Sequence, residues 1–220
     1  MTKKIVIQIS GGIESTTAMY KALNDSQIKD RRDIHLIAFD TDSIFWRHRD
    51  SIAIKRVVTE AQMQQQLYTC RMPNPDHFEY VRDDLYADVG FIPGYKLMFN
   101  TVSLAYAQRV GASEVWVGNM SDNVYPDESP EFMNGTSELY NRTYTSESRR
   151  VGFVEPFKGM TKGEVIQLAI KLGVPLADTV SCGEERTAGG YNCGICPWCT
   201  KRRAGFLQAG VEDPTTYLFK

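Results

Sequence analysis

The stretch Lys4–Thr17, KIVIQISGGIESTT, decides how the rest of the chain is read. Lys4 to Ile9 is a short, β-branched, apolar run that suits a buried strand. It stops at Ser10-Gly11-Gly12, and a helix is expected from about Ser15 to Asn24. Paired glycines let a backbone turn sharply and approach an anion closely. The helix that follows offers unpaired N–H groups and the positive end of its dipole. Ser10, Ser15, Thr16 and Thr17 add hydroxyls, so the turn has the makings of a pyrophosphate cradle. No lysine follows the second glycine, which excludes the G-x-x-x-x-G-K-[ST] loop. The plainer alternative is a strand-to-helix turn that needs glycine for its shape alone.

Outward from this turn, strands and helices alternate. Ile34 to Phe39 reads as a second strand, closed by Asp40-Thr41-Asp42. Ser51 to Gln66 has a mostly helical apolar spacing. Tyr95 to Val110 reads as a helix with Leu97, Met98, Val102, Ala105 and Tyr106 inward, and Glu114 to Gly118 as a strand. Ser121 to Arg150 is polar and reads as a long functional or partly disordered excursion. Val151 to Phe157 is a further strand. Thr161 to Glu164 is a capping box that opens a helix to Leu172, closed by Gly173 and Pro175. A short helix is expected from Cys199 to about Gln208. Such alternation implies an α/β fold with a parallel sheet.

Composition narrows the function. The 220 residues carry 25 Lys+Arg against 27 Asp+Glu, a formal charge of -2. A protein that wraps nucleic acid usually carries a strong positive excess, so direct nucleic-acid binding is not expected. No stretch approaches the roughly 18 apolar residues of a spanning helix, and the N-terminal run is too short for a signal peptide. A cytoplasmic protein with reduced thiols is expected.

In that setting Cys182, Cys193, Cys196 and Cys199, spaced C-x10-C-x2-C-x2-C, read as a closed tetrahedral zinc site of structural type. A disulfide pair or an iron–sulfur cluster are the alternatives. Cys70 is remote in sequence and reads as a plain buried thiol. His35 alternates along a strand and reads as structural, while His48 and His77 have no visible partner. Arg47 and Arg49 read as exposed, with anion contact as the alternative, and Lys201-Arg202-Arg203 as either phosphate contacts or solvated charges.

The N-terminal turn resembles the SGGxDS loop of the PP-loop ATP pyrophosphatases, with Glu14 in place of aspartate. Taken with Phe39-Asp40, Ile92-Pro93-Gly94 before Tyr95-Lys96-Leu97-Met98-Phe99, Asp122 with Tyr125-Pro126-Asp127, Glu131-Phe132, Glu155-Pro156-Phe157, Thr161-Lys162 and Thr179-Val180-Ser181-Cys182, the chain resembles the 7-cyano-7-deazaguanine synthase (QueC) family. It departs from that family over Phe39–His48, where FDTDSIFWRH replaces the family's FDYGQRH, at Gly183, where the family usually has tyrosine, and in a slightly longer first cysteine gap.

The resemblance implies a Rossmann-like adenine-nucleotide hydrolase fold. Residues 1–180 would form the ATP-binding domain and 181–220 a zinc-binding module packed on it. It implies a carbon–nitrogen ligase that joins 7-carboxy-7-deazaguanine and ammonia through adenylylated intermediates, with ATP, Mg2+ and structural Zn2+, acting as a homodimer. Ile9, Ser10, Gly11, Gly12, Ile13, Glu14, Ser15, Thr16 and Thr17 would hold the phosphates, with Phe39 and Asp40 beside the adenosine. Glu14, Lys162 and Asp122 would be the catalytic residues. Asp122 and Asp127 are candidates for magnesium or the base edge, and Tyr125 and Phe132 for stacking on the base. The alternatives are a related amide-forming or tRNA-modifying PP-loop enzyme, or a zinc-ribbon binding module that has lost catalysis.

Overall fold

Five short apolar runs form one parallel sheet: β1 Ile5–Gln8, β2 Ile34–Asp40, β3 Leu67–Arg71, β4 Glu114–Trp116 and β5 Gly152–Val154. The computed structural model describes residues 3–41, 47–73, 94–121, 125–143, 150–183 and 192–219. Among the described residues, six α-helices accompany the strands: α1 Ile13–Leu23, α2 Arg47–Glu60, α3 Tyr95–Val110, α4 Pro130–Asn141, α5 Lys162–Lys171 and α6 Pro197–Ala209. Strand order is β3-β2-β1-β4-β5. The chain runs outward from β1 to β3, then returns to lay β4 on the other side of β1. Right-handed crossovers then put α1 and α2 on one face and α3 and α4 on the other, and α5 and α6 return to the face of α1 and α2. The expected α/β class with a parallel sheet is what the protein has.

Alternation along β1 sorts the two cores. Ile5, Ile7 and Ile9 pack with residues of α1, α2, α5 and α6, whereas Val6 packs with Leu104 and Ala107 of α3 and Met133 of α4. Each fully buried isoleucine is worth about 2 kcal/mol over an exposed one. Phe206 and Ala209 of α6 belong to the larger core, so the cysteine-bearing end of the chain shares that core.

Four expectations need correction. Helix α1 starts at Ile13, two residues before the expected Ser15, because Gly12 already serves as N-cap. The helix expected over Ser51–Gln66 runs instead from Arg47 to Glu60. It ends in a Schellman turn, with Gln62 at φ 55° and the Met63 N–H donating to Val58 O at 2.9 Å. The chain then forms β3, an edge strand with no apolar alternation to announce it.

On α3 the buried residues are Asn100, Ser103, Leu104 and Ala107, while Leu97 is 39% exposed. Gln8 points to this face and donates to Asn100 Oδ1 at 3.1 Å and Ser103 Oγ at 3.0 Å, so a polar seam displaces the apolar stripe. The polar excursion contains α4. Ser129 caps it by accepting from the Phe132 N–H, Pro130 opens it, and Met133 and Thr136 are buried beneath.

Candidate functional site

The loop after β1 and the loop after β4 emerge side by side at the carboxyl edge of the sheet, where the strand order reverses. Ligands of open α/β sheets bind in this crevice. Gly11 sits there at φ +76°, and a Cβ on it would lie 2.6 Å from Ala53 Cβ of α2, so no larger residue fits the turn. Gly11 O accepts the Val180 N–H at 3.0 Å, tying the loop to the segment before Cys182. Ser15 Oγ accepts the Ser10 N–H at 3.1 Å and lies 3.0 Å from Ser10 Oγ.

The loop residues differ in what they leave open. Ser10 is exposed, Gly12 and Glu14 are half-buried, and Ile9, Ile13 and Ser15 are buried. Thr17 gives its hydroxyl to Ile13 O at 2.6 Å, inside the helix. Thr16 is also fully buried, and its Oγ1 has no partner among the described residues.

Glu14, in the first turn of α1, is ion-paired with Lys162, the first residue of α5. Their side chains are 19% and 10% exposed. A cation in a helix's first turn opposes the dipole, so Lys162 depends on this partner. Burial pushes the Glu14 carboxyl up, but the charge and hydrogen bond of Lys162, with Lys201 behind them, bring it below its usual range. Gly118, just past β4, makes room for the pair: a Cβ there would lie 2.7 Å from Glu14 Cβ. Phe39 and Asp40 end β2 at the same edge, half-buried, with the Phe39 ring stacked on Phe99 at 4.5 Å. Asp122 and His77 lie outside the described residues, as do the side chains of Arg47, His48 and Arg49.

Beside this crevice lies a half-open pocket of about 440 Å3, lined in part by Asn119, Ser121, Tyr125, Glu128, Glu155 and Lys158. A polar chain stiffens it. Lys96 Nζ pairs with Glu128 and donates to Asn119 Oδ1 at 3.1 Å, and Asn119 Nδ2 donates to Glu155 Oε1 at 2.9 Å. Sequence reasoning gave these four no role. The signal was Lys96 itself, a second lysine in a helix's first turn. Tyr125 lines this pocket, whereas Phe132 packs against the core under α4. Asp127 is buried, and burial pushes its carboxyl up despite Lys96.

The four cysteines converge as expected. Their sulfurs lie within 4.8 Å of one another and all four residues are buried. Cys193 Sγ to Cys199 Sγ and Cys196 Sγ to Cys182 Sγ are each 3.9 Å. Metal–sulfur bonds of about 2.3 Å at the tetrahedral angle set sulfurs about 3.8 Å apart, so the cluster fits a single ion. A four-iron cube gives each thiolate its own iron and holds the sulfurs farther apart. The Ile195 and Cys196 N–H groups donate to Cys193 Sγ at 3.4 and 3.3 Å, the bonding a thiolate rewards. Cys196 also caps α6 by accepting from the Cys199 N–H.

Three sequence readings change around this cluster. Arg202 is neither solvated nor at a phosphate: it is fully buried and donates to Thr179 Oγ1 at 2.9 Å and Leu176 O at 2.8 Å. Arg203 stacks on Tyr217 at 4.1 Å. Lys201 alone of the three acts on Glu14. At Gly183, a Cβ would lie 2.3 Å from the Trp198 ring, so the indole fills the space a side chain there would take. Cys70 is half-buried on β3 rather than buried. His35 packs edge-on to Tyr106 at 6.3 Å, as a structural residue would. Among the described residues, no helix is long and apolar enough to cross a membrane.

A family model described as queuosine biosynthesis protein QueC matches residues 4–210. A 7-cyano-7-deazaguanine synthase from Cyanothece sp. is 30% identical, over 97% of this chain and 99% of its own length. Among solved structures, an NMN synthetase from Francisella tularensis superposes with a TM-score of 0.51 at 17% identity, covering 96% of this chain and 79% of that one. A U34-tRNA thiolase from Methanococcus maripaludis, solved with its [4Fe-4S] cluster, gives 0.50 at 14% identity, covering 79% and 57%. At these identities the two structures speak for the fold alone.

Proposed function

The chain belongs to the QueC family of queuosine biosynthesis proteins, and from that premise we propose that it is an ATP-dependent ligase converting 7-carboxy-7-deazaguanine and ammonia to 7-cyano-7-deazaguanine. The observation that carries this reading is the glycine turn opening α1 at the strand-order switch, flanked by the Glu14–Lys162 pair. A helix N-terminus there suits a polyphosphate.

In this reading Ile9 to Thr17 hold the phosphates, Phe39 and Asp40 lie beside the adenosine, and Lys162, Glu14 and Asp122 act at the reacting centre. The base's carboxylate attacks the α-phosphate of ATP, giving an acyl adenylate and diphosphate. Ammonia displaces AMP, losing a proton, and leaves the amide. The amide oxygen attacks a second ATP, again expelling diphosphate, and loss of AMP and both nitrogen-bound protons gives the nitrile. Each oxygen leaves poorly until adenylylated. Lys162, released from Glu14 as phosphate arrives, is aimed to stabilise the charge that develops. Magnesium would accompany the nucleotide and neutralise phosphate charge, with Asp122 and Asp127 as its proposed carboxylates.

The metal of the cysteine cluster is zinc in this reading, and structural, since four thiolates leave no open position. Residues 181–220 then serve as a zinc module bracing a 1–180 ATP domain. The enzyme is read as a cytoplasmic homodimer that takes ammonia free or from a partner and needs no nucleic acid. Incubation with ATP, magnesium, ammonium and the deazaguanine acid tests the proposal. AMP is expected to form only when the acid is present, and mass spectrometry is expected to find the nitrile. ADP as the nucleotide product defeats the mechanism, and an amide end product restricts it to its first half.

A further inference from the structure

At about 1.5 Å per residue, the 13 residues of α6 carry the chain about 20 Å past the cysteine cluster. The residues after it come back. Gly210, at φ +71°, turns the chain, and Tyr217 forms a parallel bridge with Asn192. There the Leu218 N–H donates to Asn192 O at 3.0 Å and the Phe219 N–H to Cys193 O at 2.8 Å. The approach is close, since a Cβ on Gly194 would lie 2.3 Å from Phe219 O. The tail thus lies directly on the turn that carries Cys193.

Side chains fasten it at both ends. Asp213 Oδ1 accepts the Thr215 N–H at 3.0 Å and lies 3.5 Å from Nε of the buried Arg202, while Oδ2 accepts the Tyr217 hydroxyl. The Tyr217 ring packs on the core around the cysteines, with the Arg203 guanidinium 4.1 Å over it. Arg203 also donates to Phe219 O at 3.2 Å. The other three cysteines are held differently. Cys196 and Cys199 stand at the start of α6, which packs into the main core, and Cys182 follows the segment tied to Gly11. Cys193 belongs to the turn under the tail, close to a chain end, where local opening costs least.

We propose that residues 213–219 are a strap that retains the metal, and that the ion enters and leaves when this strap peels from the Cys193 turn. The inference rests on the zinc reading above and adds what governs exchange of the ion. A closed tetrahedral site has no free position for an incoming ligand, so a thiolate must swing away before the ion can go. The Cys193 thiolate can do so once the two backbone bonds to Leu218 and Phe219 open.

The test mixes the zinc-loaded full chain with excess pyridylazoresorcinol and follows the colour of the zinc–dye complex. Tyr217→Ala loses the ring on the cluster and the hydroxyl on Asp213, and is expected to release zinc about 30-fold faster than wild type. Its release is expected to stay nearly flat with urea below the unfolding transition, because peeling a tail exposes little surface. A wild-type release rate, or one that climbs with urea as steeply as global unfolding, overturns the proposal. If Tyr217→Ala fails to fold or to load, Tyr217→Phe keeps the ring and gives up only the hydroxyl. About threefold faster release is then expected, and an unchanged rate again overturns the strap. Should the wild type take up no zinc, the metal reading fails separately, and Ellman's reagent reads the cluster thiols in a Cys70→Ser background. Faster modification with Tyr217→Ala than without it supports the strap, and equal rates end it.

Discussion

Lys162 places a positive charge where its helix dipole is already positive, and Glu14 is what makes that tolerable. From the sequence, the family resemblance marks Glu14 as a phosphate-loop and catalytic candidate that departs from aspartate, but nothing there pairs it with Lys162. The structure shows its longer arm reaching another helix, a contact 148 residues away that no local pattern encodes. The pair sets a pH signature. Because the carboxyl is held below its usual 4.5, its stabilisation is complete above that value and fades as pH falls through the depressed one. Lys162→Met leaves burial as the main influence on Glu14, which reverses the sign of its contribution near neutrality. We expect the variant to lose about 3 kcal/mol at neutral pH and the deficit to narrow as pH falls from neutrality, first through the variant's raised carboxyl value and then through the wild type's depressed one. Urea titrations across that range check it. A deficit that stays flat with pH would mean that packing, not charge, carries the effect.

Among the elements, legibility followed local signal. β1, β2, β4 and the capping box of α5 were readable because apolar runs, breakers and caps lie in the residues themselves. β3 was not, because an edge strand half open to solvent has no stripe. α4 was hidden by its polar outer face, although Ser129-Pro130-Glu131 is a start signal that outweighed composition. The packing of α5 on α6 was also invisible, since it depends on a residue with no side chain. A Cβ at Gly205 would lie 2.4 Å from Lys162 Cγ and 3.0 Å from Ile166 Cδ1. Gly135, on exposed α4, would meet nothing within 4 Å. The two glycines should therefore respond oppositely to alanine. Gly135→Ala is expected to stabilise by up to about 1 kcal/mol through helix propensity. Gly205→Ala is expected to destabilise by about 1–3 kcal/mol and to slow AMP formation, because the clash falls on the stem of Lys162. Thermal melts of both variants check this, and stabilisation by Gly205→Ala would show that α6 does not confine the lysine.

Across the whole molecule, the cysteine cluster and the phosphate loop form one mechanical unit, although the sequence presents them as separate motifs at opposite ends. Val180, two residues before Cys182, donates to Gly11 O, and Arg202 on α6 clasps Leu176 and Thr179 of the same segment. Cys196 caps α6, and α6 confines Lys162 through Gly205. Loss of the metal would free the four thiols and the start of α6, and both connections run from there to the nucleotide site. Metal binding here is also folding free energy, since the buried cluster has no counterpart in the unfolded chain. We therefore expect a chelator to abolish ATP binding while much of the helical signal persists, and added zinc to restore both binding and melting temperature. Cys196→Ser should lose the metal and behave like the chelated protein, whereas Cys70→Ser on the distant edge strand should retain one zinc per chain. Metal analysis, circular dichroism and nucleotide titration on the same samples decide it. Full ATP affinity in metal-free protein would show that the cluster braces only its own loop, and iron with visible absorption in its place would overturn the zinc assignment.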